Sequence, residues 1–155
     1  ARGVDGAAVT LQKVNKVSKK ELLIADAVIV GGPVHNATVA VPVQKFINSW
    51  PFEGAPLRNK VGAAFATGGG ISAGEELTQL SILHSMLIFQ MVIVGGDDWK
   101  SAFGASAVTG ETVGTEPAED EESPLVAEHY LDKGRRLGAR VAQIARQMKR
   151  GEKDD

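Results

Sequence analysis

Two stretches carry the residues that could do chemistry: "GGPVHNAT" at 31–38 and "TGGG" at 67–70. Each follows an apolar run, Asp26-Ala27-Val28-Ile29-Val30 before the first and "VGAAFA" at 61–66 before the second. Small residues leave backbone N–H groups bare, so a ligand can approach the main chain closely. The first stretch adds polar side chains, His35, Asn36 and Thr38, and the second adds Thr67. His35 could hydrogen-bond a ligand or substrate, or simply touch water. A strand that empties into an exposed loop and then a helix is where open α/β sheets place their ligands.

Three chemistries compete for the glycines. The P-loop pattern G-x-x-x-x-G-K-[ST] is absent, since no Lys follows Gly68–Gly70 or Gly74. Gly68-x-Gly70-x-x-Ala73 fits the dinucleotide pattern, and Asp97-Asp98 could supply the ribose acid. Against it, Glu75 and Glu76 occupy the first helical turn, where two carboxylates compete with a pyrophosphate for the positive helix end. In the third reading, backbone N–H groups meet a neutral part of a ligand, such as the edge of a flavin ring. The neutral ring ranks first and the dinucleotide second.

Composition removes other classes. The chain has 155 residues, 43% apolar and 23% charged, with a formal net charge of −2. This suits one domain with a real core. The charge gives no global field for nucleic acid or an anionic membrane. No cysteine is present, so there is no disulfide framework, thiolate metal site or cysteine nucleophile. His35, His84 and His129 lie far apart, without metal-ligand spacing. No apolar run reaches the ~18–20 residues of a membrane span. We expect a cytoplasmic protein, with no metal, no nucleic acid and no membrane span. The acidic run Glu119–Glu122 reads as a solvated surface loop.

The elements that must position these loops follow from pattern. "AAVTLQKV" at 7–14 partly alternates and predicts a strand. Ser18 and Glu21 form a capping box that opens a short helix through Leu22, Leu23 and Ile24. The run 26–30 reads as a strand covered on both faces. A helix is expected from Val41 to Ser49, with Pro42 in its first turn. A loop at 50–59 and a strand at 61–66 follow. Ser72 and Glu75 make a second capping box, opening a helix to about Gln90. "MVIV" at 91–94 is a further strand, and a last helix runs from Pro124 to about Arg150, capped by Ser123. Gly134 and Gly138 lower its stability and imply close packing on the sheet. This alternation predicts one α/β domain over 1–150, a doubly wound parallel sheet, with 151–155 as a loose tail.

A series of segments resembles the flavodoxin-like NAD(P)H:quinone oxidoreductases of the WrbA type. Gly32-Pro33 with its small polar loop, then Pro42-Val43-Gln44-Lys45-Phe46-Ile47, is similar to that family's "G-[ST]-P-T-x-x-G-N-M…P-M-K-x-F-[IL]-D". Lys60–Phe65 with Ala66-Thr67-Gly68 resembles "G-K-x-[AG]-[AS]-x-F-[ST]-S-T-G", and Gly74-Glu75-Glu76-Leu77-Thr78 resembles "G-G-Q-E-x-T". Met91–Val94 and Gly104-Ala105-Ser106 resemble "G-M-V-I-V" and "Y-G-A-[ST]". The resemblance spans about residues 18–145 in one order.

It implies a three-layer flavodoxin-like fold that holds FMN. Pro33, Val34, His35, Asn36, Ala37 and Thr38 would wrap the ring and ribityl chain, and Thr67, Gly68, Gly69 and Gly70 would form the second loop. Hydride would pass from NAD(P)H to the flavin and then to a quinone. An aromatic from the 50–57 loop of a neighbouring subunit closes such sites, which points to Trp50 or Phe52, and Trp99 completes the expected substrate pocket. A homodimer or homotetramer is implied. For the helix at 73–90, Leu77, Leu80, Leu83 and Leu87 form one expected apolar face and Ile82, Met86 and Phe89 another.

The chain departs from the family in three places. Val34-His35-Asn36-Ala37-Thr38-Val39 stands where the family has T-x-x-G-N-M, losing a Thr hydroxyl and a turn Gly. Ile88-Phe89-Gln90 replaces its histidines. Nothing before Ala1 corresponds to its first strand and phosphate loop, so we expect a longer protein, with 7–14 as the second strand of the full fold. Two functions remain open: an FMN-dependent quinone reductase, or a flavodoxin-like scaffold or assembly subunit without turnover.

Overall fold

The computed structural model describes residues 4, 6–109 and 126–151. The elements run α1 (Lys19–Ile24), β1 (Ala27–His35), β2 (Thr38–Val39), α2 (Val41–Asn48), β3 (Val61–Gly68), α3 (Glu75–Ile88), β4 (Val92–Ile93), a 3-10 turn (Trp99–Ser101), β5 (Ala105–Val108) and α4 (Glu128–Gly151). Strand β3 is the centre. It pairs in parallel with β1 on one side, and with β4 and then β5 along the other. Parallel strands need crossovers; α2 lies in the one from β1 to β3 and α3 in the one from β3 to β4, while the stretch through 99–101 leads β4 on into β5 along the same side of β3.

Two apolar layers flank the sheet. Val30, Val43, Ile47, Leu57, Ala64, Ile82, Leu83 and Met86 pack between the sheet and α2 and α3. Val61, Ala63, Val94, Ala105, Leu137 and Val141 pack under α4. This is the α/β sheet with helices on both faces that the alternation predicts, in the three-layer αβα form that the flavodoxin-like resemblance implies. Gly138 is buried against the sheet as expected, whereas a Cβ on Gly134 would meet nothing within 4 Å. Among the described residues no helix is long and apolar enough to cross a membrane, and no group of His, Asp or Glu could hold a metal ion.

The α1 capping box forms as expected: Ser18 Oγ accepts from the Glu21 N–H, and Glu21 accepts from the Ser18 N–H. Bonds from the Ser18 side chain, the Ser18 backbone and Gln12 hold the Glu21 carboxyl below its usual range. The second box does not form. Helix α3 starts at Glu75, its N-cap is Gly74 with φ of 108°, and no side chain caps it. Ser72 has φ of 58°, so its backbone cannot take the extended N-cap conformation a capping box needs. Residues 7–13 are irregular and end in a turn at 14–16, not a strand. Leu11 is 70% exposed there. Partial alternation without a ladder partner does not make a strand. Opposite β3, β1 pairs only with β2, at Val34 and His35, so Ala27–Pro33 has no ladder partner on that edge among the described residues. The expected cap Ser123 and helix start Pro124 lie outside the described residues, as does the run 119–122.

Candidate flavin site at the carboxyl edge of the sheet

The stretch 31–38 is not an open loop. Strand β1 continues through Gly31-Gly32-Pro33-Val34-His35 and folds back as a hairpin, with Val34 opposite Val39 and His35 opposite Thr38. Asn36 (φ 49°) and Ala37 (φ 59°) form its two-residue turn. Positive φ at both central positions is what the type I′ hairpin turn demands. Asn tolerates this conformation through its short polar side chain, while Ala37 is strained by its Cβ.

The second loop lies alongside. Parallel pairing puts Pro33 opposite Thr67, which brings both Gly-rich stretches to the carboxyl edge of neighbouring strands. The Gly68 carbonyl is held by the Thr109 N–H at 2.9 Å and the Thr109 hydroxyl at 3.2 Å. A Cβ on Gly74 would stand 2.8 Å from Ala37 Cα, so the entry to α3 packs directly on the hairpin turn. Of the expected residues, Pro33 thus lies opposite Thr67 and Ala37 packs on Gly74, so the two Gly-rich stretches share one end of the sheet.

These residues fit a flat, uncharged ring. Gly69 is exposed, and among the described residues a Cβ on it would meet nothing within 4 Å, so no described atom accounts for a glycine there. Gly68 differs. Its side-chain direction points at the Glu75 carboxylate, and a Cβ would stand 2.8 Å from Glu75 Cδ. Glu75 is 8% exposed, and its Oε1 is buried without a partner among the described residues. A carboxylate at the start of α3 repels an anion there, which leaves the loop to the neutral part of a ligand.

Trp99 borders a shallow depression with Glu76, Gln79, Lys100, Phe103 and Ser106. The indole is 83% exposed, and Lys100 Nζ lies 5.6 Å from its ring centroid. Gln79, buried on the neighbouring turn of α3, donates from Nε2 to the Ala105 carbonyl at 2.7 Å and fixes β5 to the helix. Asp97 and Asp98 do not face a ribose site. Asp98 Oδ1 accepts from the Lys100 N–H at 2.9 Å and from the Ser101 hydroxyl at 3.0 Å, and Arg136 of α4 bridges both aspartates. Partial burial raises the Asp98 carboxyl, but the bonds from Ser101, Lys100 and Arg136 outweigh it and hold it below its usual range. These carboxylates tie α4 to the 3-10 turn, which removes the acid that the dinucleotide pattern needed.

Trp50 and Phe52 sit elsewhere. Trp50 is 5% exposed and packs edge-on to Phe46 and 5.3 Å from Phe89 between ring centroids, while Phe52, 62% exposed, caps Phe89 at 5.9 Å. Phe89 follows the last turn of α3, so this cluster lies about 20 Å along that helix from Glu75. One chain does not bring Trp50 or Phe52 to the Gly-rich loops. Sequence reasoning missed Gln79 and Thr109, which brace the site; neither carried a signal, because both act through strand β5, which was hidden in an irregular-looking stretch.

A sequence profile of the NADPH-dependent FMN reductase family matches residues 5–106. Among characterised relatives, an iron-sulfur flavoprotein of Methanocaldococcus jannaschii is 30% identical over 148 residues, covering 94% of this chain and 72% of its own length. An NAD(P)H dehydrogenase (quinone) of Sinorhizobium fredii is 33% identical over 143 residues, covering 83% of this chain and 67% of its own. The 155 residues hold no cysteine that could ligate a cluster of the kind the first relative is named for. A crystal structure of a WrbA-like flavodoxin from Agrobacterium tumefaciens superposes with a TM-score of 0.68 at 21% identity, over 83% of this chain and 71% of that one. The family match covers well over half of the chain, and the glycine cradle suits a flavin ring. FMN is the cofactor and redox chemistry the class of reaction: the chain belongs to the NADPH-dependent FMN reductase family, as a flavodoxin-like oxidoreductase of the WrbA type.

Proposed function

We propose that this is a cytoplasmic FMN-dependent NAD(P)H:quinone oxidoreductase. The observation that carries the reading is the juxtaposition of the hairpin turn 36–37 with the loop 67–70, across the Pro33–Thr67 pairing and the Gly74–Ala37 contact. FMN supplies reversible acceptance of a hydride, which the 20 ordinary side chains cannot. The chain's own part is to place and enclose. Backbone N–H groups of Gly69 and Gly70 hold the ring edge, Thr67 and Gly68 at the end of β3 form the floor behind them, and Pro33, Val34, His35, Asn36, Ala37 and Thr38 wall the other side. Exposed Trp99, on the depression lined by Glu76 and Gln79 of α3, offers an aromatic face for a nicotinamide or quinone.

The reading includes assembly. The outer face of α3 carries Leu77 (61% exposed), His84 and Ile88 (65%) in one line, with Leu87 (54%) beside them. Ile82 and Met86 of the second expected face, together with Leu83 of the first, face the sheet instead. Two copies packed through antiparallel α3 helices would cover this line. That arrangement carries Phe52, at the carboxyl end of one helix, over the Gly-rich loops at the amino end of the other. A homodimer, or a tetramer of two such pairs, completes the quinone pocket in this way, with Trp50 supporting Phe52 from beneath.

A visible spectrum of the purified intact protein tests the cofactor, and anaerobic NADPH or NADH should bleach it, with a quinone restoring it. Gly69→Val puts a side chain into the open cradle and should weaken FMN binding at least ~10-fold with the fold retained. Protein that binds no FMN when offered it would leave the scaffold function in its place.

A further inference from the structure

Glu75 has no job in holding the flavin, yet it is the one buried acid beside that site among the described residues. Its carboxylate lies under Gly68, at the first position of α3, with Oε1 buried and unbonded among the described residues. Glu76, its neighbour, is exposed on the same turn. No cation pairs with Glu75 among the described contacts. An unpaired acid shielded from water is costly, and its field on neighbouring groups is poorly screened.

We infer that Glu75 sets the reduction potential of the bound flavin, holding it low so that the reduced form readily gives its electrons to an acceptor. This rests on FMN lying against the 67–70 loop, as proposed above. A hydride delivered from NAD(P)H, which leaves as NAD(P)+, carries two electrons and one negative charge onto the ring. That charge arrives within one glycine's thickness of the Glu75 carboxylate. Like charges at such separation disfavour the reduced state, while the neutral oxidised ring feels little. Glu75 therefore weakens binding of reduced FMN relative to oxidised FMN. It is a positioning charge that touches the loop from behind, not a catalytic residue.

The test is a redox titration of the FMN-loaded intact protein with its Glu75 variants, beside FMN affinities in both redox states. Glu75→Gln keeps the shape and removes the charge. It should tighten reduced FMN about 10-fold more than oxidised FMN, which for a two-electron couple raises the midpoint by about 30 mV. Glu75→Ala, which removes the charge with a different packing change, should shift it the same way. Glu75→Asp should restore most of the low potential, and Glu76→Gln should move it by less than a third as much, because its charge is screened by solvent. An unchanged midpoint in both Glu75→Gln and Glu75→Ala with FMN still bound overturns the inference and leaves the flavin reading standing. An equal shift from Glu76→Gln overturns it too, by showing a general charge effect. Wild-type protein that binds no FMN removes both.

Discussion

Gly74 and Ala37 are in backbone contact across the candidate site: a Cβ on Gly74 would stand 2.8 Å from Ala37 Cα and 3.0 Å from Ala37 Cβ. The two loops are therefore one packed unit, and Gly74 is also at φ of 108°, where a side chain is strained. Gly74→Ala should destabilise the protein by about 2 kcal/mol and separate the loops. Thermal unfolding and FMN affinity should fall together. Loss of stability with FMN affinity intact would show that the two loops bind independently.

The hairpin turn offers the opposite change. Ala37 is exposed with φ of 59°, so its Cβ contributes strain and little burial. Ala37→Gly should stabilise the fold by about 0.5–1 kcal/mol, the relief of a left-handed residue less the added freedom of the unfolded chain. A chemical denaturation midpoint that moves downward would contradict this.

Asp98 makes the 3-10 turn sensitive to acid. Its folded-state carboxyl lies below its ordinary range, so its contribution is fully present above the unfolded value of about 3.9 and is lost as pH falls through the lower folded value. The turn carrying Trp99 should loosen only below about pH 4. Emission from Trp99 would report this in a Trp50→Phe background. That substitution is tolerable, because the buried Trp50 Nε1 has no partner among the described residues to lose. Asp98→Asn should abolish the acid transition at Trp99.

Assembly should depend on the outer line of α3. Ile88→Glu puts a charge on a 65% exposed side chain and should leave folding unchanged while converting the oligomer to monomer in sedimentation at micromolar concentration. Met86→Glu should unfold the protein instead, since Met86 is fully buried against Gly62. Monomeric wild-type protein would show that the α3 line is covered in another way or left bare.

Periodicity and turn chemistry made most of the fold legible. The Ser18–Glu21 box, the runs at 26–30 and 61–66, and the helix at 41–49 are all local signals that the tertiary structure leaves in place. What could not be read was set by contacts distant in sequence. Ser72–Glu75 spells a capping box, but Gly74, packed against Ala37, takes the N-cap instead. The 31–38 stretch looked like a loop because Gly and Pro mark turns, although only Asn36 and Ala37 turn. Leu83 and Met86 belong to one buried face that a helix apolar on most sides does not reveal. Strand β5, four residues long, is recognisable only by its pairing with Phe65–Gly68. The meeting of the two Gly-rich stretches followed from topology alone, whereas Glu75 beneath Gly68 needed coordinates.

The outer edge of β1 bears on how the protein behaves in a tube. Ala27-Val28-Ile29-Val30-Gly31-Gly32 holds no charge and no proline, and natural sheets use both to keep strangers from adding on. Asp26, at its start, is already engaged by Lys149 at 2.9 Å and is a weak gatekeeper. Whatever covers this edge in the working protein also keeps it from precipitating. Molecules with that edge bare would stack strand on strand as concentration rises, and turbidity would track the accessibility of six residues rather than the strength of the core.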